Sequence, residues 1–144
     1  MHSHHTYDFL IRANASCYVN LNALKSHLES VNGKFVYAGP KAINKDFVSG
    51  WGIVFNDKTV ETLLNNEDTE YLELFDDEAI GRMLKVSGIE PMPIPYLEIS
   101  TLKELNEKTR EDLAKFPFIR VKALDGGRRI DDVLMCRIHE ILGV

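Results

Sequence analysis

The chain has 144 residues, 44% of them apolar, 27% charged and 9% aromatic, with 17 Lys plus Arg against 22 Asp plus Glu for a net charge of −5. That length supports one compact domain with a real core and is too short for a multidomain enzyme. The negative balance excludes a general electrostatic grip on nucleic-acid phosphates, so any basic site is local.

A mean hydropathy of −0.17 argues against disorder, and no apolar run approaches the ~18 residues that a spanning helix needs. The expectation is a soluble, globular protein that does not span a membrane. Cys17 and Cys136 are far apart and show no CxxC spacing, which argues against a zinc ribbon or a disulfide scaffold and makes the cytoplasm the default location. Both are read as small buried residues. His2, His4 and His5 offer metal-ligand chemistry, but a short polar terminus is read as a disordered stretch over residues 1–5, ahead of a single domain over 6–144.

Residues 6–13 (TYDFLIRA) carry Phe9, Leu10 and Ile11 in a run, the pattern of a buried strand. Asn20 caps a helix with Leu21, Leu24, Leu28 and Val31 at helical spacing, closed by Asn32 and Gly33. Residues 34–38 (KFVYA) read as a short strand before Gly39-Pro40. Residues 46–55 (DFVSGWGIVF) read as a strand interrupted by Gly50 and Gly52, which suggests a close approach by another group.

Asn56 or Asp57 caps a second helix with Val60, Leu63 and Leu64 inside, ending at Asn65-Asn66. Residues 57–78 hold nine carboxylates and one lysine, ending in Asp76-Asp77-Glu78 before a helical pattern at Ile80, Met83 and Leu84. Carboxylates there suit the positive end of the helix dipole, so simple capping is one reading of them.

The prolines of residues 91–96 (PMPIPY) impose extended backbone leading into a strand, and TLKEL from Thr101 starts a helix. In residues 116–123 (FPFIRVKA) Ile119 and Val121 alternate with Arg120 and Lys122, a half-buried strand with a basic face. Beyond Asp125-Gly126-Gly127, Ile130, Val133, Leu134, Ile138, Ile141 and Leu142 mark a last helix, with Arg128 and Arg129 at its start and His139 in a structural position. The order predicts an α/β (α+β) fold, a small mixed sheet flanked by helices. No P-loop or GxGxxG turn occurs.

Four segments in order resemble the C-terminal half of a GT-A-type glycosyltransferase, of the Fringe and β-1,3-glycosyltransferase-like group with its bacterial and viral relatives. Residues 7–21 (YDFLIRANASCYVNL) are similar to the family strand ending in the DxD motif, with Asn14-Ala15-Ser16 in place of the acidic triplet. Residues 47–55 (FVSGWGIVF) resemble the glycine-rich acceptor-side loop, 76–81 (DDEAIG) the acidic motif after it, and 118–122 (FIRVK) the closing strand. The resemblance covers residues 7–142.

It implies inverting transfer of a sugar from a nucleotide-sugar donor to a glycan hydroxyl, with Asp77 as the base. Asp76 beside it would raise its proton affinity through like-charge repulsion, and the helix dipole would pull the other way. Ser49, Gly50, Trp51, Gly52 and Glu78 would meet the sugar: glycines admit a hydroxylated ring and an aromatic face covers its apolar side. A tryptophan packed in the core beside a bulge is the competing reading.

Neutral Asn14 and Ser16 weaken any Mn2+ or Mg2+ site, because hard cations want anionic oxygens. Asn14 and Ser16 would then meet the donor diphosphate as neutral groups, and fixed cations would hold it without a metal or other cofactor, Arg120 and Lys122 first, Arg128 and Arg129 next. The family's nucleotide-binding βα units, roughly 100 residues, would precede this chain. A first strand at a sheet edge would then be covered by a partner chain or a second copy. The alternative to an enzyme is a non-catalytic carbohydrate-binding or assembly module.

Overall fold

The computed structural model describes residues 7–31, 33–66, 71 and 73–144. Outside the described residues lie His2, His4, His5, the expected strand start at Thr6, Asn32 of the helix stop, and Glu67, Asp68 and Glu70 of the acidic stretch.

The chain runs β1 (Phe9–Ala13), β2 (Cys17–Val19), α1 (Leu21–Glu29), β3 (Tyr37–Gly39), β4 (Gly52–Asn56), α2 (Asp57–Leu64) and α3 (Asp76–Val86). It continues through β5 (Met92–Pro93), β6 (Tyr96–Ile99), α4 (Leu102–Asn106), α5 (Arg110–Ala114), β7 (Phe118–Val121), β8 (Leu124–Asp125), β9 (Arg128–Arg129) and α6 (Asp131–Leu142). This is the mixed α/β class that the sequence pattern predicts, with small mixed sheets flanked by helices. The chain divides into two compact units: Met1–Arg12 with Asn32–Pro93, and Ala13–Val31 with Ile94–Val144. No helix among the described residues is long and apolar enough to cross a membrane.

In the first unit the sheet order is β1-β4-β3-β5. β3 pairs antiparallel with β4, Tyr37 opposite Phe55, and parallel with β5, Ala38 opposite Met92. β4 has neighbours on both sides and every residue of GIVFN is buried, as a central strand demands. Tyr37, Val48, Ile53, Phe55, Leu84 and Ile89 form the core, with Val60 and Leu63 of α2 and Ile80 of α3 against it. The rings of Tyr37 and Phe55 stack with centroids 5.9 Å apart.

Several expectations are corrected in this unit. β1 forms at a sheet edge, as expected, but Leu10 and Ile11, read as buried, are exposed, because an edge strand has one strand neighbour and its apolar run need not be covered. The strand read over 46–55 starts only at Gly52. Before it the chain turns, with the Gly52 N–H donating to the Ser49 carbonyl at 3.2 Å. The strand read over 34–38 is shifted to Tyr37–Gly39, and Leu64, at the end of α2, is exposed.

In the second unit β7 is central, antiparallel to β2 (Tyr18 opposite Ile119) and parallel to β6 (Leu97 opposite Ile119). Parallel neighbours need a crossover, which α4 and α5 supply. Ile99, Leu105, Leu113, Ile119, Val121, Leu134, Ile138 and Leu142 fill the core. Asn20 caps α1 as predicted, accepting from the Ala23 N–H at 3.2 Å. Gly126 (φ +54°) and Gly127 (φ +83°) turn a β8–β9 hairpin, the left-handed pair that a tight hairpin requires.

That hairpin relocates Arg128 and Arg129 from the expected helix start onto β9. Lys122 lies past the end of β7 and is exposed, so the expected basic strand face reduces to Arg120. Leu21 and Val133 are exposed at their helix surfaces, and Cys136, read as buried, is exposed on α6.

Asn56 shows how tightly local sequence fixes the first unit. Its Oδ1 accepts from the N–H groups of Thr59 (3.0 Å) and Val36 (3.1 Å) and from the Thr59 hydroxyl (2.8 Å), while its amide donates to the Lys34 carbonyl at 3.0 Å. Asn56→Ala strands the Thr59 N–H and hydroxyl and the Lys34 carbonyl, and leaves the Val36 N–H only the Thr59 hydroxyl oxygen at 3.0 Å. Urea unfolding is expected to show a loss of about 2–3 kcal/mol, against a change of a few tenths for Asn22→Ala on the exposed face of α1.

Burial also pushes the Cys17 thiol up to about 12, against the smaller opposing pulls of Arg120 and the Ile119 backbone bond. A disulfide-exchange reagent at pH 8 is expected to label one thiol per native chain, Cys136, and two after denaturation. Rapid labelling of two native thiols would contradict this packing.

Candidate functional site

The first turn of α3 carries Asp76, Asp77 and Glu78. Its N-cap, Phe75, brings no side-chain acceptor, so the carboxylates meet the free N–H groups themselves. Asp76 Oδ1 accepts from the Asp77 N–H at 2.9 Å, and Asp77 Oδ1 from the Glu78 N–H at 3.0 Å. The second oxygen of Asp77, Oδ2, accepts the Gly50 N–H at 2.9 Å. Two segments that the sequence singles out, 27 residues apart, therefore meet at one carboxylate.

Gly50 keeps that approach uncrowded. A Cβ there would stand 3.2 Å from Asp77 Oδ2 and 3.0 Å from Arg12 Nη1. The guanidinium of Arg12, reaching from β1, pairs with Asp76 through Nη2, and its Nη1 is buried without a hydrogen-bond partner among the described residues. The charge of Asp76, expected to push on Asp77, is thus matched by a fixed cation.

Glu78 is held by Arg82, one helical turn on, at 2.7 Å. The Ser49 N–H donates to the Pro40 carbonyl at 2.7 Å, which closes the loop base. Trp51 is only 5% exposed. Its burial favours the core reading and is a correction to the expectation of an open aromatic face for a sugar.

Tyr37 anchors the loop from below: its hydroxyl accepts the Val48 N–H at 2.8 Å. Burial pushes its phenol up to about 12; the Val48 bond pulls it down and the charge of Asp77 adds to the rise.

The residues read as a diphosphate cradle lie in the other unit. Asn14 Oδ1 accepts the Ser16 N–H at 3.0 Å, an Asx turn that occupies the amide oxygen. The Ser16 hydroxyl donates to Asp131 at 3.2 Å and accepts from Arg129 Nη2 at 2.8 Å. Asp131 also takes the Ala123 N–H at 3.0 Å and is ion-paired with Arg129, whose bond chiefly holds its carboxyl below the usual range. Arg120 pairs with Glu98 at 3.3 Å and so is not an uncommitted cation, while Lys122 stands exposed in solvent.

This donor set does not fit a divalent cation. It offers an amide oxygen and a hydroxyl already in use, and one carboxylate bonded to an arginine that would repel a metal. Among the described residues no three His, Cys, Asp or Glu gather as a metal cluster. His139 lies with Nδ1 3.2 Å from the Tyr18 hydroxyl, a structural contact at the α6 surface.

The structure therefore joins Asp76, Asp77 and Glu78 to the Ser49–Gly52 turn in one unit, and places Asn14, Ser16, Arg120 and Lys122 in the other. Two residues escape the sequence reading. Arg12 is signalled only by a lone charge inside an apolar strand run, and Asp131 by the Asp131-Asp132 pair opening the last helix. The chain matches no protein-family model, and no curated protein matches it.

The Asp131 carboxyl is lowered on folding, so it binds fewer protons in the native state than in the unfolded chain. Its stabilising contribution is complete above the unfolded value, about 4, and is lost as pH falls through the lower folded value. Thermal midpoints of wild type and Asp131→Asn are expected to differ most above about pH 5 and to converge toward about pH 2. A gap that widens on acidification would contradict the pairing.

Proposed function

We propose that the chain is a glycosyltransferase domain that moves a sugar from a nucleotide-sugar donor to a glycan hydroxyl with inversion, Asp77 acting as general base. The observation that carries this reading is the Gly50 N–H bond to Asp77 Oδ2, which seats a half-buried carboxylate against a glycine turn. The ordered resemblance of four segments supports the same assignment.

In this reaction the acceptor hydroxyl attacks the anomeric carbon from the face opposite the diphosphate. Its proton passes to Asp77 as the new C–O bond forms, and the old C–O bond breaks with its electron pair leaving on the nucleoside diphosphate. A carboxylate oxygen has about two lone-pair directions, and each oxygen of Asp77 spends one on a backbone N–H. The carboxylate is thereby oriented without being saturated. Arg12, holding Asp76, acts as a positioning residue for this pair.

The test couples donor binding to turnover. The chain is titrated calorimetrically with UDP-, GDP- and dTDP-sugars, and release of the nucleoside diphosphate from any bound donor is then followed for wild type and Asp77→Asn. The carboxamide introduced by that change keeps an oxygen for the Gly50 N–H and loses the basic site, so release is expected to fall by about 10²–10⁴-fold with donor affinity little changed. Equal rates would remove Asp77 from the chemistry. Saturable sugar binding with no turnover by wild type would favour the carbohydrate-binding module instead.

A further inference from the structure

Alongside the carboxylate turn runs a second feature that the mechanism does not use: a groove of about 340 Å³ lined by Lys45, Asp46, Phe47, Glu78, Arg82 and Lys85, with Gly81 at its floor. Its size falls at the lower end of small-molecule sites. Both walls continue the walls of the Asp77 site. One is the loop that carries Gly50; the other is α3, with Glu78 directly after Asp77.

The floor is built for close contact. A Cβ on Gly81 would lie 2.3 Å from Phe47 Cβ, so only glycine lets the loop rest on the helix there. Phe47 is half-buried, and its backbone carbonyl accepts the Ala42 N–H at 3.0 Å. Asn44, in the left-handed region at φ 56°, bends the loop so that Lys45, Asp46 and Phe47 follow one another along the rim.

Around this aromatic residue stand paired charges, Lys85 with Asp46 at 3.2 Å and Arg82 with Glu78 at 2.7 Å. Ion-paired donors and acceptors flanking an aromatic surface are the chemistry that holds a sugar: hydroxyls bond to the charged groups and the C–H face lies on the ring. The tally of lining charges is three cations against two anions, a locally positive spot on a chain of net charge −5. Lys45 forms no ion pair with the described residues, and its ammonium is available to an anionic substituent.

We propose that this groove is a subsite for an acidic sugar of the acceptor glycan, a uronic acid seated against Phe47 with its carboxylate on Lys45 and its hydroxyls on Glu78 and Arg82. The proposal rests on the glycosyl-transfer reading for its acceptor role and names the class of acceptor. Its ligand chemistry stands independently of turnover.

The experiment is a printed array of glucuronic- and galacturonic-acid oligosaccharides with their neutral counterparts of equal length, probed with the full chain. Retention of uronic-acid glycans over neutral ones is expected, weakening as salt rises and falling about tenfold in Lys45→Ala and in Arg82→Ala. Phe47→Ala tests the stacking. Because that change alters the packing on Gly81, the two exposed-residue variants carry the result if it does not fold.

Retention of neutral glycans alone, retention of neither class, or retention unchanged in the Lys45 and Arg82 variants overturns the subsite. The catalytic reading is judged separately by diphosphate release in wild type against Asp77→Asn. Acid-glycan retention without donor turnover sinks the transferase and keeps the groove; turnover without acid-glycan retention does the reverse.

Discussion

A buried phenol sets the geometry of the first unit. Tyr37 is 1% exposed, stacks on Phe55 across the β3–β4 pair and accepts the Val48 N–H. An unpaired amide in that core would cost about 1–3 kcal/mol, so the bond fixes where the chain leaves β3 and returns as β4. Val48 is thereby held two residues before Gly50, and Gly50 can reach Asp77. The chain of dependence runs from an aromatic stack in the core, through one hydroxyl, to the carboxylate at the surface.

Cores of this kind are legible in a sequence because burial follows periodicity. Leu24 and Leu28 of α1, Leu134, Ile138 and Leu142 of α6, and the alternation of Ile119 and Val121 are buried as their spacing requires. The caps Asn20 and Asn56 are equally plain, since a side-chain acceptor ahead of an apolar repeat has a direct local role. What escapes is anything decided by neighbours in space. The run Phe9-Leu10-Ile11 does not reveal that Leu10 and Ile11 stay exposed, and the glycines of 46–55 do not reveal that the first half is a turn rather than a strand. The Gly126-Gly127 pair does carry a hairpin signal, but two-residue strands are too short to show alternation, and the arginines after them read as part of the helix.

The candidate site is legible to a similar degree and for the same reason. The sequence singles out Asp76, Asp77, Glu78 and Gly50, and the structure brings them together. The aromatic role of Trp51 fails because burial depends on what packs over the ring, which sequence spacing does not encode. Arg12 can be found only as an anomaly, a charge in an apolar strand whose partner lies 64 residues on. Long-range charge pairing of this kind leaves no periodic trace.

Each unit contains the same device used to different ends. In both, an acidic helix start is matched by an arginine from a strand: Arg12 of β1 for α3, Arg129 of β9 for α6. In the second unit the arginine takes Asp131, the residue that also accepts from Ser16 and Ala123, and its carboxyl is held low, with Oδ2 crowded by the arginine and the Ser16 hydroxyl. Such a group is a structural anion and a poor proton acceptor. In the first unit the arginine takes Asp76 and leaves Asp77 with backbone N–H partners alone, so the carboxylate is oriented, its neighbour's charge is neutralised, and lone pairs remain for a proton. The difference between the two carboxylates lies in their partners: an arginine, a hydroxyl and one backbone N–H hold Asp131, whereas two backbone N–H groups hold Asp77.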